Sequence, residues 1–293
     1  MRHFGGGSMP KRAVYTVDTL RTVRATLAAV DQAYPVQGAG KLLTLSNPKV
    51  NRAAAEMGYL PAILHLAPHT MAGVNVCAWA SVECAAGCLN TSGQGGIGLD
   101  AAGWNRTQAA RIRRTASLAL EPGAFAVRLA REIGQHAARA ARMGLTPCLR
   151  LNGTSDVTWH RTFPDVLLAA REAGVILYDY TKRPTPDAAE HGIDVTYSYP
   201  GGSGTAARRY LQAGHRVAVV FATVRGRRLK DQALPAEWLA PWGETFPVHD
   251  GDAHDLRFTD PGGVIIGLRA KGKLIGAAPS RKGFVQAGRT LAA

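Results

Sequence analysis

The chain has 293 residues, of which 46% are hydrophobic and 19% charged, with four cysteines and a formal net charge of +14. A chain of this length can bury a full core without covalent cross-links, and four cysteines are too few for a disulfide-held secreted scaffold. No apolar run is long enough to cross a bilayer, and no apolar signal segment opens the chain. We therefore expect a cytoplasmic protein that makes no membrane contact.

The sequence predicts three segments of unequal size. Residues 1–8, MRHFGGGS, precede a second methionine and are expected to be an expression remnant. Residues 9–40 are expected to form an N-terminal helical extension, because apolar side chains recur at helical spacing over residues 17–34. No linker interrupts residues 41–293, which are predicted to form one α/β barrel-like domain.

Apolar strand-like runs alternate with helical patterns along the predicted domain. Strands are predicted near residues 62, 148, 175, 194, 217, 246 and 264. Such alternation predicts parallel βαβ units. The fold class is therefore α/β, and we expect a partial or complete (β/α) barrel of the TIM type with six to eight mostly parallel strands. An open doubly wound sheet is the alternative.

Polar side chains recur where the predicted strands end. Ligands of barrels and of open α/β sheets bind at the carboxyl ends of the strands, so these side chains are candidates for one shared site. The catalytic candidates are Asp156, Asp179, Lys182, Asp252 and His254. The cofactor-binding candidates are Asn152, Gly153, Ser155 and Ser198.

Three of the four cysteines, Cys77, Cys84 and Cys88, lie in the stretch CAWASVECAAGCLN. Their C-x6-C-x3-C spacing lacks the paired C-x2-4-C pattern of structural zinc sites. Three thiolates in one loop favour a [4Fe–4S] cluster with one iron free of protein ligands. A zinc site and a chance grouping of small buried residues are the alternatives. The remaining Cys148 is expected to be a packed core thiol at the start of a strand.

The order of the motifs resembles that of radical S-adenosylmethionine enzymes. In that family a three-cysteine loop after the first strand holds the cluster, as Cys77, Cys84 and Cys88 would here. Its usual spacing is C-x3-C-x2-C, so the present loop is longer in both gaps. The resemblance implies S-adenosylmethionine as a cofactor. It also implies that LRLNGTSD, after the second strand, receives the methionine amino group through Gly153 and Asp156.

A second resemblance covers residues 40–290. The stretches KLLTLSNPK, GYLPAILHLAPH, CLNTSG, RLNGTSD, YDYTK, DGDAHDLRF and GLRAKG together resemble an uncharacterised family of phage-encoded, gene-product-88-like proteins. The resemblance implies a phage or prophage origin, and hence the host cytoplasm. It also implies that these motif residues line the site.

The basic composition, with a sequence pI of about 10.1, indicates a nucleic-acid or nucleotide substrate. The leading hypothesis is a phage-derived iron–sulfur enzyme of the radical type. One alternative is a nucleic-acid-binding protein with a structural cluster or zinc ion. Another is a metal-dependent nuclease that uses HDGDAHD, residues 249–255. The arginines of residues 106–114 predict either a solvated helix or one that contacts phosphates.

Overall fold

A computed structural model of the chain describes residues 15–36, 38, 40–45 and 54–287. The segment expected to be an expression remnant, residues 1–8, lies outside the described residues. No helix in the described ranges is long and apolar enough to span a membrane.

The described chain contains a ten-stranded, mostly parallel sheet. The strands are β1 (Leu43–Thr44), β2 (Tyr59–Leu64), β3 (Thr146–Arg150), β4 (Ile176–Thr181), β5 (Ile193–Ser198), β6 (Arg216–Phe221), β7 (Glu237–Leu239), β8 (Thr245–Asp250), β9 (Ile265–Arg269) and β10 (Val285–Gln286). Their order is β1-β2-β3-β4-β5-β6-β9-β8-β7, and β10 pairs with β6. All seven strands predicted from the sequence are present.

The strands from β2 to β6 lie side by side in chain order and pair in parallel, and β9 and then β8 continue the parallel series. The antiparallel strands β1 and β7 form the two edges of the sheet. The described pairings do not join these edges, so the sheet is not closed. The α/β class and the parallel sheet predicted from the sequence are confirmed.

Helices connect the parallel strands and cover the sheet. They are α1 (Val17–Ala33), α2 (Val82–Ala86), α3 (Arg106–Leu120), α4 (Pro122–Arg142), α5 (Trp159–Thr162), α6 (Pro164–Glu172) and α7 (Thr205–Gln212). Asn105 is the N-cap of helix α3, and its side-chain oxygen accepts a hydrogen bond of 2.9 Å from the Gln108 N–H. Helix α4 has Pro122 in its first turn and ends before Gly144, which adopts a positive φ of 65°.

The core lies between the sheet and its helices. Phe125, Leu129 and Ile133 follow one another at helical spacing on α4, and all three are buried against the sheet. Cys148 on β3 is fully buried, as the sequence predicts. This packing fixes the strands firmly, so the loops at their carboxyl ends are held on a rigid base.

Three of the four arginines of α3 donate hydrogen bonds within the protein, and the fourth, Arg106, is exposed. Arg113 donates to Asp31 on α1 at 2.7 Å, and Arg114 donates to the Lys41 carbonyl at 3.0 Å. Arg111 donates to the Asn90 carbonyl at 2.9 Å. The reason is tertiary, since α1 and the chain before β1 accept hydrogen bonds from Arg113 and Arg114, and the loop that contains Asn90 accepts one from Arg111.

Candidate functional site

A cavity of about 410 Å³ opens at the carboxyl ends of the parallel strands. Its walls come from the loops after β3, β4 and β9 and from side chains of β5 and β6. Two further stretches also line it, namely the cysteine segment, which is residues 77–92, and the acid–histidine segment, which is residues 249–255. The cavity brings together most of the side chains that the sequence singles out, namely Cys77, Cys84, Cys88, Asn152, Gly153, Ser155, Asp156, Lys182, Ser198, Asp252 and His254.

Backbone N–H groups point at two of the three thiols of the cysteine segment. The His69 N–H donates to Cys77 Sγ at 3.3 Å, and the Asn90 N–H donates to Cys88 Sγ. His69 has a φ of 50°, the one positive φ of a non-glycine residue in the described chain. Amide hydrogen bonds to sulfur favour the thiolate, which is the form that binds metals.

Burial opposes thiolate formation at the cavity. It raises the pKa of Cys77 to about 11, against the hydrogen bond from His69, and the nearby Cys88 and Cys84 raise that pKa further. Burial also raises the pKa of Cys88, and Cys84 again adds to the effect. The three thiols are therefore close enough to repel one another as anions, which is the arrangement that a shared cation would relieve.

The three thiols of the cysteine segment do not surround a space of the size that a metal ion needs. Within the described ranges, no three His, Cys, Asp or Glu side chains form a group that could hold a metal ion. The donor chemistry suits a thiolate-bound metal or an iron–sulfur cluster. Binding either one would require Cys77, Cys84 and Cys88 to close around it.

Asn152 organises the loop after β3. Its side-chain oxygen accepts hydrogen bonds from Ser155 Oγ at 2.9 Å, the Val157 N–H at 2.9 Å and Trp159 Nε1 at 3.1 Å. That oxygen and the Ser155 hydroxyl are thus engaged within the loop, although sequence reasoning predicts both residues to bind a cofactor. A Cβ on Gly153 would lie under 3.0 Å from Ile63, His65 and the Leu64 carbonyl, so only glycine fits there.

Asp156 joins the loop after β3 to the end of β4. Its carboxylate accepts from Thr181 Oγ1 and from the Lys182 N–H, both at 2.9 Å. Its own N–H donates to the Val76 carbonyl, next to Cys77. Burial raises the pKa of Asp156, and the two hydrogen bonds oppose that shift. Asp156 therefore fixes the cysteine segment relative to Lys182.

Asp179 lies behind the cavity wall and is the one predicted catalytic residue that does not line the cavity. Its carboxylate accepts from the Asn152 N–H at 3.0 Å and the Tyr180 N–H at 3.1 Å. Burial raises the pKa of Asp179 to about 8, although Arg150, at 3.9 Å, opposes the shift. Its position behind the wall suits a residue that supports the loop after β3.

Lys182 presents its ammonium group to the cavity. Nζ donates to Ser198 Oγ at 2.5 Å and lies 5.3 Å from the centre of the Phe284 ring. Among the described side chains, no carboxylate lies within salt-bridge distance of Nζ. The positive charge also acts on Cys88, whose pKa it lowers slightly against the effect of burial. A cation with a hydroxyl beside it, next to the thiols, is a site for an anionic group.

The acid–histidine segment is held by basic side chains. Asp252 accepts from the Arg269 N–H at 3.0 Å, from the Arg269 guanidinium at 3.1 Å and from Lys271 Nζ. Burial would raise the pKa of Asp252, but the hydrogen bonds from Lys271 and Arg269 outweigh it and lower that pKa. His254 Nδ1 contacts Arg257 at 3.2 Å. These carboxylate and imidazole groups are engaged inside the protein, which does not favour a nuclease metal site.

Sequence reasoning missed Arg150, a charged residue of the cavity wall. Arg150 pairs with Asp255 at 3.1 Å, and its guanidinium lies 4.4 Å from the centre of the Tyr180 ring. Burial would lower the pKa of Arg150, but Asp255 and Asp179 raise it. The available signal was the position of Arg150 at the end of an otherwise apolar strand, directly before LNGTSD.

A family model described as "Gene product 88" matches residues 41–288, which includes the cysteine segment, the loop after β3 and the acid–histidine segment. No curated protein and no solved structure matches the chain.

Proposed function

The chain belongs to the gene product 88 family, an uncharacterised family of phage proteins, and we propose that it is an iron–sulfur enzyme. In this proposal Cys77, Cys84 and Cys88 hold a [4Fe–4S] cluster. One observation carries the proposal, namely that three cysteines from twelve residues line the same wall of a 410 Å³ cavity at the carboxyl ends of parallel strands.

The contacts of the thiols support a ligand role over a packing role. Cys148, the fourth cysteine, is fully buried in the core, whereas the other three are only half-buried and border the cavity. Two of the three accept hydrogen bonds from backbone N–H groups. Such hydrogen bonds to thiolate ligands help to set the reduction potential of an iron–sulfur cluster. Thiolate sulfur is the ligand that iron–sulfur clusters favour.

We further propose that the sheet curls into a partial (β/α) barrel whose mouth is the cavity. The support is the strand order, since five strands from β2 to β6 follow one another in parallel without the reversal of order typical of doubly wound sheets. Loops after β3 and β4, at one end of this series, and after β9 border the same cavity. Strand ends that converge in this way are typical of a curved sheet.

The chain's own residues suit an anionic group of a small cofactor beside the cluster, such as the carboxylate of S-adenosylmethionine. Lys182 and Ser198 supply a charge and a hydroxyl, and Asp156 fixes their distance from Cys77 through the Lys182 and Val76 backbones. The close packing of Gly153 lets the loop after β3 approach β2. A bound cluster with one open iron would supply a one-electron or Lewis-acid centre.

Anaerobic reconstitution with iron and sulfide tests the proposal. The wild-type chain should turn brown, with broad visible absorption and, after reduction, an electron paramagnetic resonance signal of a cluster. Added S-adenosylmethionine should perturb that signal if it binds the open iron. A colourless protein with one zinc ion per chain would contradict the cluster.

Matched variants separate ligands from packing. Cys77→Ala, Cys84→Ala and Cys88→Ala should each lose the absorption, whereas Cys148→Ala should keep it, because Cys148 lies in the core away from the cavity. Circular dichroism of the unreconstituted variants controls for folding. Equal loss of colour in all four variants would indicate a general effect on stability and would contradict the assignment of ligands.

A further inference from the structure

Two loops that hydrogen-bond to each other carry much of the chain's positive charge, and one of them lines part of the cavity. The first, residues 223–231, follows β6 and contains Arg225, Arg227, Arg228 and Lys230. All four are exposed and make no salt bridge with the described residues. Asp231 is the one acid of this loop, so its formal charge is +3.

The second loop, residues 270–283, follows β9 and contains Lys271, Lys273, Arg281 and Lys282 with no acid, a formal charge of +4. Lys271 pairs with Asp252, and the other three are exposed without an ion pair in the described part of the chain. Together the two loops, which we name the basic rim, hold half of the chain's net charge of +14.

The basic rim is one surface, and it is joined to the cavity. Arg225 donates to the Ile275 carbonyl at 3.1 Å, and the Gly276 N–H donates to the Thr223 carbonyl at 3.0 Å, which ties the loops together. Lys271 and Leu274 line the cavity. Leu274 also packs against Gly87 of the cysteine segment, where a Cβ would meet it at 2.6 Å.

We propose that the basic rim binds a single-stranded nucleic acid and directs one of its nucleotides into the cavity. Seven exposed cations without acidic partners form a track for a phosphate backbone. The cavity volume of about 410 Å³ is within the range of small-ligand sites, which suits a nucleotide. Trp79, 46% exposed and next to cavity-lining Ala80, offers an aromatic face for stacking.

An anionic membrane surface fits these observations less well. Surface helices that bind membranes bury a broad apolar face, whereas the basic rim consists of loops. Val224 is the large apolar side chain that the two loops expose. A cavity beside the cations has no use at a flat lipid surface but suits a ligand with a protruding group.

The test measures binding of a fluorescent single-stranded DNA oligonucleotide to the full chain by anisotropy over a series of salt concentrations. The rim variant is Arg227→Gln, Arg228→Gln and Lys230→Gln. The control variant is Arg131→Gln, Arg139→Gln and Arg142→Gln, three exposed cations of α4, a helix that does not line the cavity. Both variants lose the same charge, so a difference between them reports the position of the charge.

The rim variant should bind at least about tenfold more weakly than wild type at low salt. The slope of log affinity against log salt should fall by about 2, since each phosphate contact with a single strand contributes about 0.7. The control variant should stay close to wild type. Equal loss in both variants would overturn the proposal, because binding would then follow net charge alone.

Two further probes identify the partner. Trp79→Ala should weaken oligonucleotide binding about fivefold or more and leave binding of inorganic polyphosphate unchanged, because polyphosphate has no bases to stack. Unchanged oligonucleotide binding in Trp79→Ala would contradict the single-strand assignment. Rim-dependent binding to phosphatidylserine vesicles, without binding to the oligonucleotide, would overturn the proposal in favour of a membrane.

The iron content is measured in parallel on the same samples. A chain that holds iron but fails to bind the oligonucleotide contradicts the basic rim alone. A chain that binds the oligonucleotide but holds no cluster contradicts the proposed function alone.

Discussion

The cysteine segment and the acid–histidine segment line the same cavity, but their side chains are occupied differently. Asp252 accepts hydrogen bonds from Arg269 and Lys271, which fixes it within the fold. Cys84 borders the cavity and is half-buried. Its backbone N–H donates to Ser81 Oγ, and its thiol takes no part in that hydrogen bond. A cluster of residues that could bind a ligand can instead stabilise the fold. Whether its polar atoms already have hydrogen-bond partners inside the protein distinguishes a structural role from a ligand-binding role.

Replacing one side chain in each segment should give the largest contrast between them. Asp252→Asn leaves Arg269 and Lys271 without their shared carboxylate, so we expect the free energy of unfolding to fall by about 3 kcal/mol. Cys84→Ala, in protein without metal, should cost less than about 1 kcal/mol, because the thiol is only half-buried. Urea denaturation of both variants measures the difference, and equal losses would contradict it.

The glycines of the two segments sharpen the comparison at a smaller scale. A Cβ on Gly251 would lie 2.8 Å from both the Arg257 guanidinium and Leu268, so Gly251→Ala should cost about 2 kcal/mol. A Cβ on Gly87 would meet only the side chain of Leu274, which lies on a loop and can turn away. Gly87→Ala should therefore cost less than about 1 kcal/mol. Thermal unfolding of the two variants checks this order, which would be refuted if Gly87→Ala were the more damaging change.

Two acids of the site should give opposite dependences of stability on pH. The pKa of Asp179 is raised to about 8 by burial, so the folded state holds its proton where the unfolded state has lost it. Stability from this group therefore falls as pH rises from about 4 towards 8, by about 1 kcal/mol per pH unit. The pKa of Asp252 is lowered by Lys271 and Arg269, against burial, so its contribution is lost as pH falls below the unfolded pKa near 4.

Asp179→Asn checks the contribution of Asp179 to this pair. The variant should lose the decline between pH 5 and 8 while it keeps the loss of stability in acid that Asp252 causes. Unfolding free energies at a series of pH values give the result. A decline that persists in Asp179→Asn would show that another group titrates there.

The sequence predicts the strands well because most of the longer parallel strands are apolar runs bounded by glycine, proline or polar residues. It also predicts most of the cavity, since the polar residues after β3 and β4 must meet at one edge of a parallel sheet. The short strands β1, β7 and β10 carry too few residues for a pattern. Whether these three strands form depends on the neighbouring strands with which they pair.

Charge pairing is the part that the sequence does not predict. Arg111, Arg113 and Arg114 resemble a solvated or phosphate-binding face in the sequence, but each donates to a distant acceptor, at Asn90, Asp31 and Lys41 respectively. The engagement of Asp252 by Lys271 depends on β9 lying beside β8. Such contacts join residues far apart in the chain, so local patterns contain no record of them.

The most direct test of the central claim is the iron and acid-labile sulfide content per chain after anaerobic reconstitution. The wild-type chain and Cys148→Ala should each bind about four iron and four sulfide, and the triple variant Cys77→Ala, Cys84→Ala, Cys88→Ala should bind almost none. Equal iron and sulfide in the triple variant, or stoichiometric zinc without sulfide in the wild type, would contradict the claim that these three thiols hold an iron–sulfur cluster.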